Sequence, residues 1–485
     1  MSKIRPQTTV DSFIFWSTIG LATFFFLAFF WINWQTFPIP WDDESSFTLQ
    51  AIAWAEHSTL FTSALSNERT IMWMNPGYMI LTGSIYKIFG YSFALSREIS
   101  WAFYLLGFLT LSITLKDIVS KISILLLATS FLLPSSLASG NLARMESMEI
   151  FFASLIFLAL IYKRFWIAIA ILIICALFHF NAIYISLPII GAIALELKSA
   201  RSLKILQPNK WDVLAISVSL ALLALYLGFV FKNLDAFNQD MIYQFSRKFG
   251  RTPFYKIPKN IFYLFVISST VLFAFFKNHR NLTILGLLSL SFFLTYAIGQ
   301  EMWYQIFFNL SLGLISIVGL NLLPEKKFIK VLALMILIAL NAYQAGSSFA
   351  GMRPAFSKNP YIDGPTTLEI EQQILSLAQG VDSNGPVTVS FMSRGVGMMF
   401  YPFLKRNDLQ LRYKLPDQMN SNFPSNICVY ITRSLDPDWL KIALSGPTAQ
   451  ACDKGLIVSE VNGDVRVFRT EKNIFTEINR QQNKP

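Results

Sequence analysis

Long apolar runs alternate with short polar stretches from the N-terminus to about residue 349, with a regularity that no soluble core needs. A helix crossing a bilayer takes roughly 17–25 apolar residues. Candidate runs lie near 12–34, 99–115, 122–138, 148–162, 165–179, 181–196, 212–231, 260–276, 282–299, 305–323 and 329–345. This pattern predicts a polytopic α-helical membrane protein with about eleven transmembrane helices. The first run has no short apolar core followed by a small-residue cleavage site, so it reads as a retained anchor. No repeat of 20–50 residues and no broken mid-membrane helix is visible.

Two shorter patterns lie between the first and second runs. The stretch 46–57 repeats apolar residues at Phe47, Ala51, Trp54 and Ala55, leaving Gln50, Glu56 and His57 on a polar side. This spacing predicts an amphipathic helix. "NPGYMILTGSIYKIFG" (75–90) predicts a second helix, opened by Pro76 and closed by Gly90. Counted as a span, it would move every later basic cluster to the other side of the membrane. As an interfacial helix, it makes 35–97 one outer loop. Lys3 and Arg5, then Lys116 with Lys121, Lys163 with Arg164, Lys198 to Lys210, Lys277 with Arg280, and Lys326 to Lys330 all then face the cytoplasm.

Beyond residue 349 the pattern changes. "PVTVSFM" and "NICVYIT" read as buried strands, 394–404 and 436–446 as helix-like stretches, and 455–459 with 464–469 as a strand pair. The expected division is a membrane domain at 1–349 and a small α/β extracytoplasmic domain at 350–485.

Composition agrees with the pattern. The 485 residues are 54% hydrophobic and 14% charged, with 45 Phe, where soluble domains carry about 25% charge. The net charge of +11 does not point to nucleic acid, because the cations sit in short clusters between apolar runs. Of the three cysteines, Cys175 is in an apolar run, whereas Cys428 and Cys452 can form a disulfide if the C-terminal part is extracytoplasmic. The two N-x-S/T sequons, at Asn281 and Asn309, fall in or beside spans, which favours a bacterial inner membrane over the endoplasmic reticulum.

Candidate chemistry gathers on the outer ends. In "IPWDDESSF", Asp42, Asp43 and Glu44 precede the first amphipathic helix. One acid suffices as a cap. A second, in a partly desolvated cleft, can serve as a general base, or a carboxylate pair can hold a divalent cation such as Mg or Mn. Arg97, Arg144, Glu146 and His179 lie at span ends, where ionisable groups mark either structural pairs or functional sites. The stretch 232–259 carries Lys232, Arg247, Lys248, Arg251, Lys256 and Lys259 against Asp235 and Asp240. Positive charge on an outer loop opposes the usual bias, so it points to an anionic ligand, a lipid-linked phosphate or a lipid headgroup. "GQEMWYQ" brings Trp303 and Tyr304 to the same side, either as cleft residues or as interface aromatics.

The ordered set resembles the GT-C superfamily of membrane glycosyltransferases, nearest its protein O-mannosyltransferase and lipid A aminoarabinose transferase branch. It comprises an outward helix, "DDESSFTLQAIAWAE", the Pro-led helix ending in Phe-Gly, an Arg opening the next span, and "ARMESMEIFF". These motifs cover the first third of the chain, and the rest agrees in architecture. The resemblance implies transfer of a hexosyl or pentosyl group from a polyprenyl-phosphate donor, outside the cytoplasm, to a lipid, glycan or protein acceptor. The family's catalytic acid falls on Asp43 with Glu44 beside it, while the neighbouring Asp42 leaves the register open by one. Asn75 stands where the aminoarabinose branch has Lys, so Lys87, Arg97, Arg144 or the cluster at Arg247, Lys248, Arg251 and Lys256 would meet the donor phosphate. Glu146 matches a later family acid at the donor or metal site, and His179, Trp303 and Tyr304 would line the cleft. The alternatives are a transporter or lipid flippase, whose intramembrane charges look alike, and a catalytically silent scaffold.

Overall fold

The first apolar run forms helix α1 (Thr9–Asn33), which has no acidic or basic residue in its bilayer-length core apart from Asp11 near its start. The computed structural model describes residues 9–33, 42–62, 64–66, 69–199, 207–249, 252–299, 301–324, 327–349, 364–381, 385–391, 397–413, 425–433, 452–461 and 464–470. The chain divides into two compact units. One comprises Met1–Trp34, Met72–Tyr78 and Arg97–Ala355, and the other Gln35–Ile71, Met79–Ser96 and Phe356–Pro485.

After α1 come α2 (Asp42–His57), α3 (Gly77–Phe89), α4 (Phe93–Leu115), α5 (Ile124–Leu132) and α6 (Pro134–Gly140). The single run expected at 122–138 is therefore broken. Proline disfavours α geometry in the residue before it, and Leu133 is accordingly extended, with ψ 138. The two halves meet at 64°. Then follow α7 (Glu146–Ile161), α8 (Phe165–Phe178), α9 (Ser186–Ser199), α10 (Lys210–Lys232), α11 (Leu234–Phe249), α12 (Pro258–Phe276), α13 (Arg280–Gly299), α14 (Gln305–Leu322) and α15 (Lys327–Phe349). Seven helices among the described residues are long and apolar enough to cross a bilayer, or eight if the bent α5–α6 pair is one span. The chain is an integral membrane protein. The expected spans at 148–162 and 165–179 are helical but short, at 16 and 14 residues.

The membrane unit packs by two devices. An aromatic cluster centres on Phe26, whose ring meets Trp101, Tyr104, Phe108 and Phe131 edge-on. Elsewhere small residues let helices approach, as expected where lipid removes the hydrophobic drive between helices. Ser289 on α13 and Ser311 on α14 exchange hydroxyl-to-carbonyl bonds at 2.8 Å. A Cβ at Gly313 would lie 2.1 Å from Ser130 Oγ. Helix α10 instead turns Leu214, Val218, Leu225 and Phe231 outward, as a lipid-facing helix would.

The stretch 232–259, expected as a loop, is mostly α11. This helix buries Ala236 and Asp240 and exposes Leu234, Ile242 and Phe245. Asp240 accepts the Met72 backbone N–H at 2.6 Å, fixing the 72–76 segment. Asn75 in that segment is buried. It donates to the Ala176 carbonyl and accepts from the Tyr226 hydroxyl, the latter at 2.8 Å.

In the second unit, α2 departs from the amphipathic expectation. Every residue from Glu44 to Ala53 is buried, so Gln50 is not on a solvated side. Its amide is satisfied by the carbonyls of Leu60 and Ile71, at 3.3 and 2.7 Å. Helix α3 ends at Gly90 as expected, with φ +78 and its N–H bonded to Tyr86 O at 2.8 Å. Glycine takes this conformation without the Cβ cost.

The C-terminal part of this unit has α16 (Gly364–Gln379) and five strands, β1 (Val387–Phe391), β2 (Leu409–Tyr413), β3 (Ser425–Arg433), β4 (Cys452–Val461) and β5 (Asp464–Thr470). The sheet order is β2-β1-β3-β4-β5, parallel except for the β4–β5 pair. The stretch 436–446 lies outside the described residues, and only 397–404 of the other helix-like stretch is described, as a short turn and helix. Register corrects the disulfide expectation. Cys452 stands opposite Ser425 while Cys428 stands opposite Gly455. That three-residue offset puts the two cysteines roughly 10 Å apart, beyond the reach of a disulfide. Within the unit, Tyr91 donates to Met398 O at 2.9 Å, its ring meets Tyr401, and Lys405 reaches Glu56 Oε1 at 2.6 Å.

Candidate functional site

Glu146 and Glu149 occupy the first turn of α7, where carboxylates complement the positive end of the helix dipole. Their surroundings are dry, since every residue from Ser135 to Ile150 is buried. In the turn before α7, Arg144 Nη2 lies 2.8 Å from Glu146 Oε1, and its Nε lies 3.2 and 3.1 Å from the two oxygens. The Arg144 guanidinium stacks over Trp303, 4.3 Å from the ring centre. Its backbone is fixed as well. The Arg144 N–H donates to Ser100 Oγ, and the Ser100 hydroxyl donates to Arg144 O, both at 3.0 Å. Tyr78 Oη lies 3.2 Å from the same Ser100 oxygen.

Glu149, one helical turn after Glu146, meets His179 at the end of α8. Oε2 lies 2.9 Å from His179 Nδ1. The same nitrogen faces the backbone N–H of Asn181 at 3.2 Å, and Nε2 faces Tyr304 Oη at 3.5 Å. Tyr304 stands in the short turn Met302–Tyr304 that leads into α14. The membrane unit thus brings Arg144, Glu146, His179, Trp303 and Tyr304 together, with Glu149, Asn181 and Ser100 beside them. The signal for Glu149 was present: in "ESME" two acids sit one turn apart at the start of an apolar helix, where each needs a partner.

Arg97 is fully buried on α4. Lys256 is exposed in the turn Phe254–Lys256. The side chains of Arg247 and Lys248 on α11, and the whole of Arg251, lie outside the described residues. In the second unit, Asp43 is half-buried and Glu44 fully buried in the first turn of α2, while the Asp42 side chain lies outside the described residues. Tyr86 donates to Ser96 Oγ at 2.6 Å. Burial pushes the Tyr86 phenol well up; hydrogen bonding with Ser96 and Thr48 partly offsets this, and the charge of Glu44 adds to it. Lys87 is exposed at the end of α3. Among the described residues no three His, Cys, Asp or Glu side chains are placed to hold a metal ion.

No family model matches the chain, and no curated protein matches it by sequence. Solved structures do match its fold. ArnT from Cupriavidus metallidurans bound to undecaprenyl phosphate superposes with a TM-score of 0.55 at 12% identity, covering 91% of this chain and 92% of that one. The same protein in the apo state gives 0.53 at 12% identity, covering 90% and 92%. The chain therefore shares the fold of ArnT over nearly its whole length.

Proposed function

We propose that the protein is a GT-C-type glycosyltransferase that moves a sugar from a polyprenyl-phosphate carrier to an acceptor outside the cytoplasm. The observation that carries this reading is the ArnT-like fold, shared across 91% of the chain with a protein crystallised with undecaprenyl phosphate. In the proposed step Asp43 takes the proton of an acceptor hydroxyl or amine. The freed lone pair attacks the anomeric carbon, the carbon–oxygen bond to the phosphate breaks, and polyprenyl phosphate leaves with the electron pair. Attack opposite the leaving group inverts the anomeric centre. Partial desolvation suits a carboxylate to this task, and the half-burial of Asp43 is consistent with it. Cations drawn from Arg247, Lys248, Arg251, Lys256, Arg97 and Lys87 offset the charge developing on the phosphate, which is often the largest single catalytic contribution. Arg144 belongs to the same proposed set, with its Nε and Nη2 engaged by Glu146.

The second reading, a transporter or lipid flippase, gains from the broken α5–α6 span, since discontinuous helices are common in transporters. Asn309 on α14 donates to Ser135 and Ser136 of the broken pair at 2.9 and 2.8 Å, which gives that bend a structural use. Supplying the purified full-length protein with a polyprenyl-phosphate sugar labelled in both parts separates the two. A transferase yields sugar-free polyprenyl phosphate and a glycosylated acceptor with inverted configuration. A flippase leaves the donor intact, and that result would remove the proposal.

A further inference from the structure

The contact between Glu149 and His179 has a proton-counting consequence. Nδ1 of His179 already faces the Asn181 backbone N–H, which makes that nitrogen an acceptor. With Glu149 ionised, two acceptors would stand 2.9 Å apart, and neither Glu149 oxygen would have a hydrogen-bond donor. Glu149 is 0% exposed, and a bare carboxylate in such a place is far costlier than a neutral acid that donates. The other groups near it argue the same way. Arg144 is matched by Glu146; Cys175 of α8, Tyr184 and Tyr304 are close enough to feel its charge, and none of these is a cation.

We propose that Glu149 is a neutral carboxylic acid whose O–H donates to His179 Nδ1, fixing His179 as the Nε2–H tautomer that faces Tyr304. The pair is a positioning device. Through Tyr304 it holds the Met302–Tyr304 turn, and through the adjoining Trp303 it holds the face on which Arg144 stacks. It also sets charge. Arg144 and Glu146 cancel, and a neutral Glu149 leaves the cluster without the net negative charge that would repel a phosphate. This last point alone rests on the transferase reading.

The chain has three histidines, and His57 and His279 are exposed, so nitrogen-15 histidine labelling of the full-length protein in nanodiscs gives a simple spectrum. His179, assigned with His179→Gln, should show an unprotonated Nδ1 and a protonated Nε2. Glu149→Gln should preserve that pattern, because its amide also donates; Glu149→Leu should lose it. In transfer assays Glu149→Gln should retain most of the turnover, while Glu149→Leu loses about tenfold or more in kcat. An imidazolium or an Nδ1–H tautomer at His179 in the wild type, or equal kinetic losses in Gln and Leu, would overturn the proposal. Should the wild type transfer no sugar, the transferase reading falls while the spectrum still locates the proton. Should Glu149→Leu not fold, the wild-type spectrum and Glu149→Gln decide alone.

Discussion

Two helices of this protein begin with acids, and they use them in opposite ways. At the start of α7, Glu146 is locked to Arg144 and Glu149 to His179, all at 2% exposure or less. At the start of α2, Glu44 is equally buried, but the preceding Asp43 keeps part of its surface open. The α7 acids are thus spent inside the membrane unit on fixing backbone turns and ring positions. At α2, Asp43 is only half-buried. Burial with a matched partner marks a residue whose loss harms folding first; under the proposed function, half-buried Asp43 is one whose loss harms chemistry first.

The contrast can be broken by mutation, taking stability effects from large to small. Arg144→Ala leaves Glu146 buried without its partner and should cost about 3–5 kcal/mol, read as a large drop in thermal midpoint in detergent. Replacing both partners, Arg144→Met with Glu146→Leu, should recover most of that loss; if it does not, the pair does more than balance charge. Asp240→Asn weakens the acceptor for the Met72 N–H and should cost about 1.5–3 kcal/mol, the range for hydrogen bonds to charged groups. Gly90→Ala forces a Cβ into a φ of +78 and should cost about 1 kcal/mol. Asp43→Asn should change stability by no more than about 0.5 kcal/mol. A larger loss at Asp43 would place it with the α7 acids and dissolve the contrast.

Much of this was legible from the chain. Gly90 announced the end of α3, and "NPG" its beginning, because Pro and Gly act through local backbone geometry. The Arg144–Glu146 pair was legible because two opposite charges two residues apart beside an apolar run have little else to pair with. The bend at Pro134 was equally visible in principle, yet apolar content alone reads through a proline and merges α5 with α6. Gln50 was misplaced because helical periodicity assumes one solvated side, and the carbonyls of Leu60 and Ile71 that satisfy its amide are set by the fold of the loop. Glu149 needed His179, thirty residues downstream, which no local pattern supplies. Strand register did the same for the cysteines: Cys428 was read in a strand and Cys452 only in the polar C-terminal part, and the strand pairing alone shows their three-residue offset.

The central claim is that Asp43 is the base of a sugar transfer from a polyprenyl phosphate. The direct measurement is the transfer rate of purified Asp43→Asn, beside Asp42→Asn and the wild type, on a polyprenyl-phosphate sugar. The account predicts a loss of about 10²- to 10⁴-fold for Asp43→Asn, with the protein folded and its thermal midpoint unchanged, and a near-normal rate for Asp42→Asn. Near-normal turnover in Asp43→Asn, or a dead Asp42→Asn beside an active Asp43→Asn, would contradict it.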